Sequence, residues 1–281
     1  KAGVPLHEAI EQIDIGGPTM IRSAAKNMKF VTVITDPADY ARVLESMDAN
    51  GGGTTEELRF ELGQKVFART AAYDATIAGY LAGQMKTAAP RPFVKAAASG
   101  VELRYGENSH QKAWLYVDPV ATEACIAHTD VLHGKEMSYN NYVDGEGALE
   151  AVKELSGKPG VAVIKHTNPC GFATGATLAE AFEAAWNGDP VSAFGSVIAV
   201  TQKVDMATAE LLKGRFIEAL IAPDFDPAAL ELLKAKSKNI RLLKLRKPMS
   251  KAAPRKMIKD INGGILVQDV DTDSIAEWKN V

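Results

Sequence analysis

Cysteine is nearly absent: Cys125 and Cys170 are the only two in 281 residues, far apart and outside any C-x-x-C pattern. That excludes a disulfide framework and gives no zinc ribbon, and both thiols are expected to stay reduced. Long apolar runs are missing too; none approaches the ~20 residues that cross a bilayer. The chain does not open with the basic, apolar, small-residue sequence of a secretory signal. A soluble, cytoplasmic protein with no membrane partner is the expectation. Aromatics are few, at 7%, but a hydrophobic fraction of 46% and a charged fraction of 24% argue for a globular chain over a disordered or collagen-like one. The length allows one large domain or two ordinary ones.

The net charge of −3 is small but unevenly distributed. Residues 234–259 carry eleven Lys or Arg and no acid, leaving the rest of the chain at −14. Such a stretch can face an anionic ligand or partner. Its bases are interleaved with Ile240, Leu242, Leu243 and Leu245, so it reads first as a solvated face on an ordinary strand. It lacks the aromatic interleaving of a single-strand stacking platform, and nucleic acid is not an expected partner. The chain starts Lys1-Ala2-Gly3-Val4-Pro5 without an initiator Met and stops shortly after Trp278, which reads as an excerpt of something longer.

Residues 31–35 (VTVIT) are a short β-branched run bounded by Asp36-Pro37, predicting a buried strand followed by a helix from about Pro37. Gly51-Gly52-Gly53 is a loop, and Thr54-Thr55-Glu56-Glu57 reads as a capping box with Thr54 as cap. Leu58, Leu62 and Val66 recur on one helix face, which is expected to continue through Phe67 and Ala71. Residues 88–92 (AAPRP) break the pattern and mark a domain boundary. Downstream, strands at 161–164, 196–201, 216–222, 240–245 and 264–268 alternate with helices at 178–186, 206–213 and 227–236. That alternation predicts an α/β layered domain, with its chemistry in loops where strands end.

Three constellations stand out. Ile13-Asp14-Ile15-Gly16-Gly17-Pro18-Thr19 precedes a helix expected at 20–27. Paired glycines permit close backbone approach and a helix N-terminus favours an anion, with Arg22 and Lys26 on one face; a plain capping turn has the same pattern. Residues 103–111 (LRYGENSHQ) form a polar loop in which Arg104 suits a phosphate and Tyr105 a flat heterocycle, unless the loop is simply exposed. The third is a buried run, 161–164, followed by Lys165-His166-Thr167-Asn168-Pro169-Cys170-Gly171. Adjacent strand residues face opposite ways, so Lys165 and His166 share a substrate only if the chain turns here, as Pro169 and Gly171 suggest. An imidazole, with an ordinary pKa of about 6.5, is a general base near neutral pH, and a neighbouring ammonium stabilises an oxyanion. Cys170 lacks the partners of a nucleophile. His110, His128, His133 and Cys125 match no metal-ligand spacing. Residues 192–196 (SAFGS) are a further loop where the Gly195 backbone can meet a ligand.

Taken together, the chain resembles the bifunctional purine-biosynthesis enzymes that join AICAR formyltransferase to IMP cyclohydrolase. Six segments carry the resemblance in order: IDIGGPTMIRSAAKN at 13–27, LRYGENSHQ at 103–111, IKHTNPCG at 164–171, DPVSAFGSVIAV at 189–200, FIEALIAP at 216–223 and NGGILVQD at 262–269. The resemblance implies an α/β fold: residues 1–95 as the later part of a methylglyoxal-synthase-like cyclohydrolase domain, and 96–281 as the start of a cytidine-deaminase-like formyltransferase domain. It implies formyl transfer from the co-substrate 10-formyltetrahydrofolate to AICAR, giving FAICAR, then ring closure to IMP with loss of water and no catalytic metal. By the same resemblance His166 takes the amine proton and Lys165 stabilises the oxyanion. Arg104, Tyr105, Gly195 and Glu218 hold AICAR, some members having Asp in place of Glu218. Lys26 matches the proton-transferring lysine of the cyclohydrolase, with Asp14 and the Ile15 backbone lining the IMP site. The family's earlier phosphate-binding segment and its later segment with a folate-side asparagine are not in this sequence, so both sites are expected to be incomplete. A homodimer is implied as well. The alternatives are a catalytically silent nucleotide-binding or dimerisation module, and a polyanion-binding role for residues 234–259.

Overall fold

The structure, a computed structural model, describes residues 3–85, 93–97, 100–118, 121–250 and 255–273. The boundary expected at 88–92 lies outside the described residues. The chain divides into two compact units, Lys1–Gly100 and Val101–Val281.

Helices α1 (Leu6–Glu11), α2 (Gly16–Lys26), α3 (Tyr40–Ala49) and α4 (Glu56–Gln84) organise the first unit. A short 3-10 turn, Pro37–Asp39, leads into α3 and is capped by Asp36, as the Asp-Pro pair predicts. Helix α4 runs unbroken for 29 residues. Its cap is Thr55, whose hydroxyl accepts from the Leu58 amide at 3.2 Å, one residue later than expected. The Thr54 hydroxyl is occupied elsewhere, with Thr32 Oγ1 at 2.7 Å. The buried face continues from Val66 through Thr70, while Phe67 and Ala71 are exposed. Threonine is tolerated there because its hydroxyl donates to the Phe67 carbonyl and accepts from Arg22.

Residues 31–35 form no strand. A strand needs a neighbour for its amides and carbonyls, and no described segment of this unit pairs with them. The β-branched side chains serve packing instead: Val33 joins Ala25 and Val66, and Ile34 lies against Val43, Leu58 and Leu62.

β1 (Gly100–Leu103) begins at the last residue of the first unit, and the second unit goes on with β2 (Ala113–Tyr116), β3 (Thr129–His133), α5 (Tyr139–Lys153), β4 (Gly160–Lys165) and β5 (Asn168–Thr174). It continues with α6 (Leu178–Trp186), β6 (Ser196–Val200), α7 (Met206–Lys213), β7 (Ile217–Ala222), α8 (Pro227–Lys236), β8 (Arg241–Leu245), β9 (Lys256–Ile261) and β10 (Gly264–Asp269). Strands β1 and β2 form one two-stranded ribbon and β9 and β10 another. The other six form a mixed sheet in the order β3-β8-β7-β6-β4-β5. β6, β7 and β8 are parallel, whereas β3 and β4 run against their neighbours.

Alternate residues of the central strands fill two cores, as the period of two requires. Val161, Val163, Ile198, Val200, Leu220 and Leu242 pack with Phe182, Leu212 and Leu233 of α6, α7 and α8. Ala162, Ile164, Val197, Ala199, Ile221 and Leu243 pack with Ala148, Leu149 and Val152 of α5. Burial on both faces explains why these strands read as continuous apolar runs. Each fully buried Leu or Ile contributes about 1.5–3 kcal/mol.

Helix α6 crosses the edge strand β5 at Gly171, where a Cβ would stand 1.6 Å from the Ala185 carbonyl oxygen. Gly171→Ala should therefore cost at least about 3 kcal/mol of unfolding free energy, the upper end of ordinary overpacking. Urea denaturation measures it; a loss under about 1 kcal/mol would mean helix and strand separate freely.

The far half of α5 carries a network of charges. Lys153, 1% exposed, is paired with Glu150 at 2.6 Å and Glu123 at 3.5 Å. Arg255 reaches Glu123, Glu146 and Glu150 at 3.4, 3.3 and 3.2 Å. Burial, and then the neighbouring Glu150, push the Glu146 carboxyl above its ordinary range against the pull of Arg255. The folded protein thus keeps a proton that the unfolded chain has released. This contribution to stability is complete below about pH 4.3 and is lost as pH rises through the raised value. Glu146→Gln, which does not ionise, should gain stability relative to the wild type as pH rises above about 4.3. Parallel stability curves for the two proteins would contradict the shift.

Candidate functional site

β4 ends at Lys165, which pairs with Asn168 across a turn made of His166 and Thr167. Both turn residues are left-handed, at φ 52° and 63°. This is the tight hairpin geometry that Asn-Gly usually supplies, and it is strained for a β-branched threonine. Three hydrogen bonds surround it. The Thr167 amide donates to Asp144 Oδ1 at 2.8 Å, and Asn168 Nδ2 and the Thr167 hydroxyl donate to the His166 carbonyl at 2.8 and 2.6 Å. The chain therefore reverses at His166-Thr167, not at Pro169 and Gly171 as expected. Those two lie within β5, an edge strand where proline is tolerated, beside a register shift in the β4–β5 ladder.

The turn forms one wall of a cavity of about 430 Å³. Arg104, Tyr105, His166, Gly195 and Glu218, five positions singled out in the sequence, line it together. The cavity sits where β6, β7 and β8 begin. Because β3 and β4 run antiparallel, their ends reach the same edge. The expectation of a site at the carboxyl ends of strands thus holds for β3 and β4 and fails for the parallel three.

Each of the five has a local reason for its place. Arg104 stacks over the Tyr105 ring at 5.0 Å. Their loop is closed by the Gly106 amide donating to the Gln111 carbonyl at 2.8 Å, and joined to α5 by Asn140 Nδ2 donating to the Glu107 carbonyl at 3.1 Å. Gly195 has φ 77°, and a Cβ there would stand 3.4 Å from the Phe216 ring. Glu218 Oε2 accepts from Arg241 Nη1 at 2.7 Å.

Arg241 corrects the reading of residues 234–259 as a solvated face: it is 4% exposed, and its Nε and Nη2 also donate to the Glu136 carbonyl, each at 3.2 Å. Elsewhere in the stretch Lys244 pairs with Asp224 at 2.8 Å and Arg246 with Asp130 at 2.7 Å. Lys135, Asn140, Asn141 and Asp144 also line the cavity and were not anticipated. The available signal was Ser138, followed three residues on by Asn141. They form a reciprocal cap that aims the amino end of α5 at the cavity.

Lys165 is not in this lining. With His166, Asn168, Pro169, Cys170, Asp189 and Ser192 it lines a second cavity of about 390 Å³, and its Nζ donates to the Phe194 carbonyl at 2.8 Å. His166 is common to both cavities. Burial, and then Asp189, push the Cys170 thiol up, opposite to what an activated nucleophile needs.

Asp14, Ile15 and Lys26 lie in the first unit. Helix α2 starts at Gly16 instead of about residue 20, so the paired glycines form its first turn, and Asp14 Oδ1 accepts the Gly17 amide at 3.0 Å. Ile15 is 72% exposed. Lys26 is in the last turn of α2. At about 1.5 Å per residue its backbone is on the order of 16 Å along the helix from that of Ile15, at the opposite end of α2. Among the described residues no group of three or more His, Cys, Asp or Glu is arranged to hold a metal ion. His128 and His133 are each hydrogen-bonded to a carbonyl, those of Asp118 and Ser237. No described helix is long and apolar enough to cross a membrane.

A mixed-sheet α/β unit with a cleft of guanidinium, amide, carboxylate and imidazole groups defines a polar small-molecule site. The family model described as AICARFT/IMPCHase bienzyme matches residues 24–281. The chain is 49% identical over 277 residues to the bifunctional purine biosynthesis protein PurH of Bacillus mycoides (strain KBAB4), and 48% identical over 277 residues to that of Bacillus cereus (strain AH187). Both alignments cover 99% of this chain and 53% of the relative. The chain belongs to the AICARFT/IMPCHase bienzyme family, and it spans about half the length of these curated relatives.

Proposed function

We propose that this chain is the central portion of a bifunctional enzyme for the last two steps of IMP synthesis. On this reading residues 1–95 belong to a methylglyoxal-synthase-like cyclohydrolase domain and 96–281 to a cytidine-deaminase-like formyltransferase domain, in a cytoplasmic homodimer. The observation that carries it is the strained turn holding His166 at the wall of a cavity shared with Arg104, Tyr105, Gly195 and Glu218.

Arg104 offers AICAR a planar cationic fork and Tyr105 an aromatic face. Glu218 accepts from an amide or hydroxyl. As the 5-amino nitrogen of AICAR attacks the formyl carbon of 10-formyltetrahydrofolate, His166 removes its proton. The Lys165 ammonium, at the other side of the same turn, stabilises the oxyanion of the tetrahedral centre. Collapse of that centre breaks the bond to the folate nitrogen, which takes up a proton, and leaves FAICAR. Cyclisation then joins the carboxamide nitrogen to the formyl carbon and expels water. Lys26 is the proton-transferring group of that second step, with Asp14 and the Ile15 backbone at the IMP site. Ile15 and Lys26 flank opposite ends of α2. No step calls on a metal.

His166→Ala in the complete enzyme containing this chain should lower formyl transfer about 100- to 10,000-fold, measured as FAICAR formed from AICAR and 10-formyltetrahydrofolate; an unaltered rate would remove the assigned base. A second reading, a nucleotide-binding module without turnover, is favoured by Lys165 lying outside the cavity lined by Arg104 and Tyr105, with its Nζ held by the Phe194 carbonyl. Calorimetric titration of the chain with AICAR separates the two kinds of failure. Heat of binding without turnover supports the module, and no heat at all counts against the AICAR assignment of the cavity.

A further inference from the structure

We propose that Asp144 is a positioning residue that locks the His166-Thr167 turn in its left-handed form and thereby aims the imidazole; this rests on the reading of His166 as the base. Two consecutive non-glycine residues at positive φ are unfavourable and persist only where their surroundings fix them. Of the three hydrogen bonds around the turn, two are made by Thr167 and Asn168 to the His166 carbonyl, within the turn itself. The bond from the Thr167 amide to Asp144 Oδ1, at 2.8 Å, joins the turn to a different element, helix α5.

That helix is itself fixed. Ala148, Leu149 and Val152 are fully buried against the sheet, and Ser138 and Asn141 cap its start. Gly147, one turn beyond Asp144, faces the hairpin: a Cβ there would be in ordinary contact with Ile164 Cγ2 at 3.6 Å and Thr167 Cα at 3.9 Å, so α5 lies directly against the turn. Rigidity therefore passes from the core through α5 and Asp144 to the Thr167 amide, and so to the peptide that carries His166. Without the acceptor, Thr167 relaxes toward negative φ, the peptide between the two turn residues rotates, and the imidazole leaves the cavity wall. A displacement of about 1 Å costs on the order of 100-fold in rate.

The test uses the complete enzyme and three variants. Asp144→Ala should lower kcat about 100-fold with a smaller change in KM for AICAR, because Asp144 Oδ1 is engaged by the Thr167 amide and its loss acts chiefly on placement of the base. Thr167→Gly added to Asp144→Ala should recover at least about tenfold of that loss, since glycine holds positive φ without strain. Asp144→Asn, which keeps an acceptor oxygen, should be faster than Asp144→Ala. A wild-type kcat in Asp144→Ala, a rise in KM in place of the fall in kcat, or no recovery with Thr167→Gly overturns the proposal. Amide hydrogen exchange at Thr167 tests the clamp independently of which group is the base. Slow exchange in the wild type and fast exchange in Asp144→Ala supports it, and equal rates refute it even if His166→Ala proves fully active.

Discussion

The arrangement depends on one unfavourable piece of backbone: two non-glycine residues, His166 and Thr167, held left-handed at the end of a buried strand. A strand alternates its side chains, so a regular β4 would send Lys165 and His166 to opposite faces. Breaking regularity immediately after Lys165 places His166 where two cavities meet, while Lys165 stays anchored to the Phe194 carbonyl on the side of the second. Strain of this kind is stable only against a stiff background. The background is a sheet buried on both faces, with α5 packed beneath the turn.

The mixed topology decides where the chemistry collects. Had all six strands been parallel, the loops at their carboxyl ends would have been the place to look. Here β3 and β4 run against β6, β7 and β8, so the starts of three strands and the ends of two converge on one edge. Glu218 and Arg241 come from strand starts and His166 from a strand end. The Arg104-Tyr105 loop arrives from outside the sheet and is tied to α5 by Asn140.

Charge in this chain is mostly spent on pairing. Most of the bases described between 234 and 259 meet carboxylates or carbonyls, and Arg241 is buried while doing so. Their role is to hold Glu218, the β3–β8 pair and the charges of α5 in place. This leaves little for the polyanion-binding alternative, which needs exposed, unpaired bases.

The alternation of apolar runs with Ala/Leu/Glu segments was enough to locate β4, α6, β6, α7, β7, α8 and β8, because burial on one or two faces writes a period directly into the residues. Polar loops with side chains suited to anions and heterocycles were legible for the same reason: residues 103–111 and 165–171 have no other evident use for so much hydrogen-bonding capacity. What one-dimensional pattern does not contain is the identity of neighbours. Residues 31–35 have strand composition and no ladder, Thr70 replaces Phe67 on the buried face because Arg22 is at hand, and Pro169 marks an edge strand rather than a turn. Lys135, Asn141, Asp144 and Arg241 enter the site only because the sheet order and the approach of α5 bring them there. Those choices follow from pairing and packing between segments far apart in sequence, which only the tertiary structure decides.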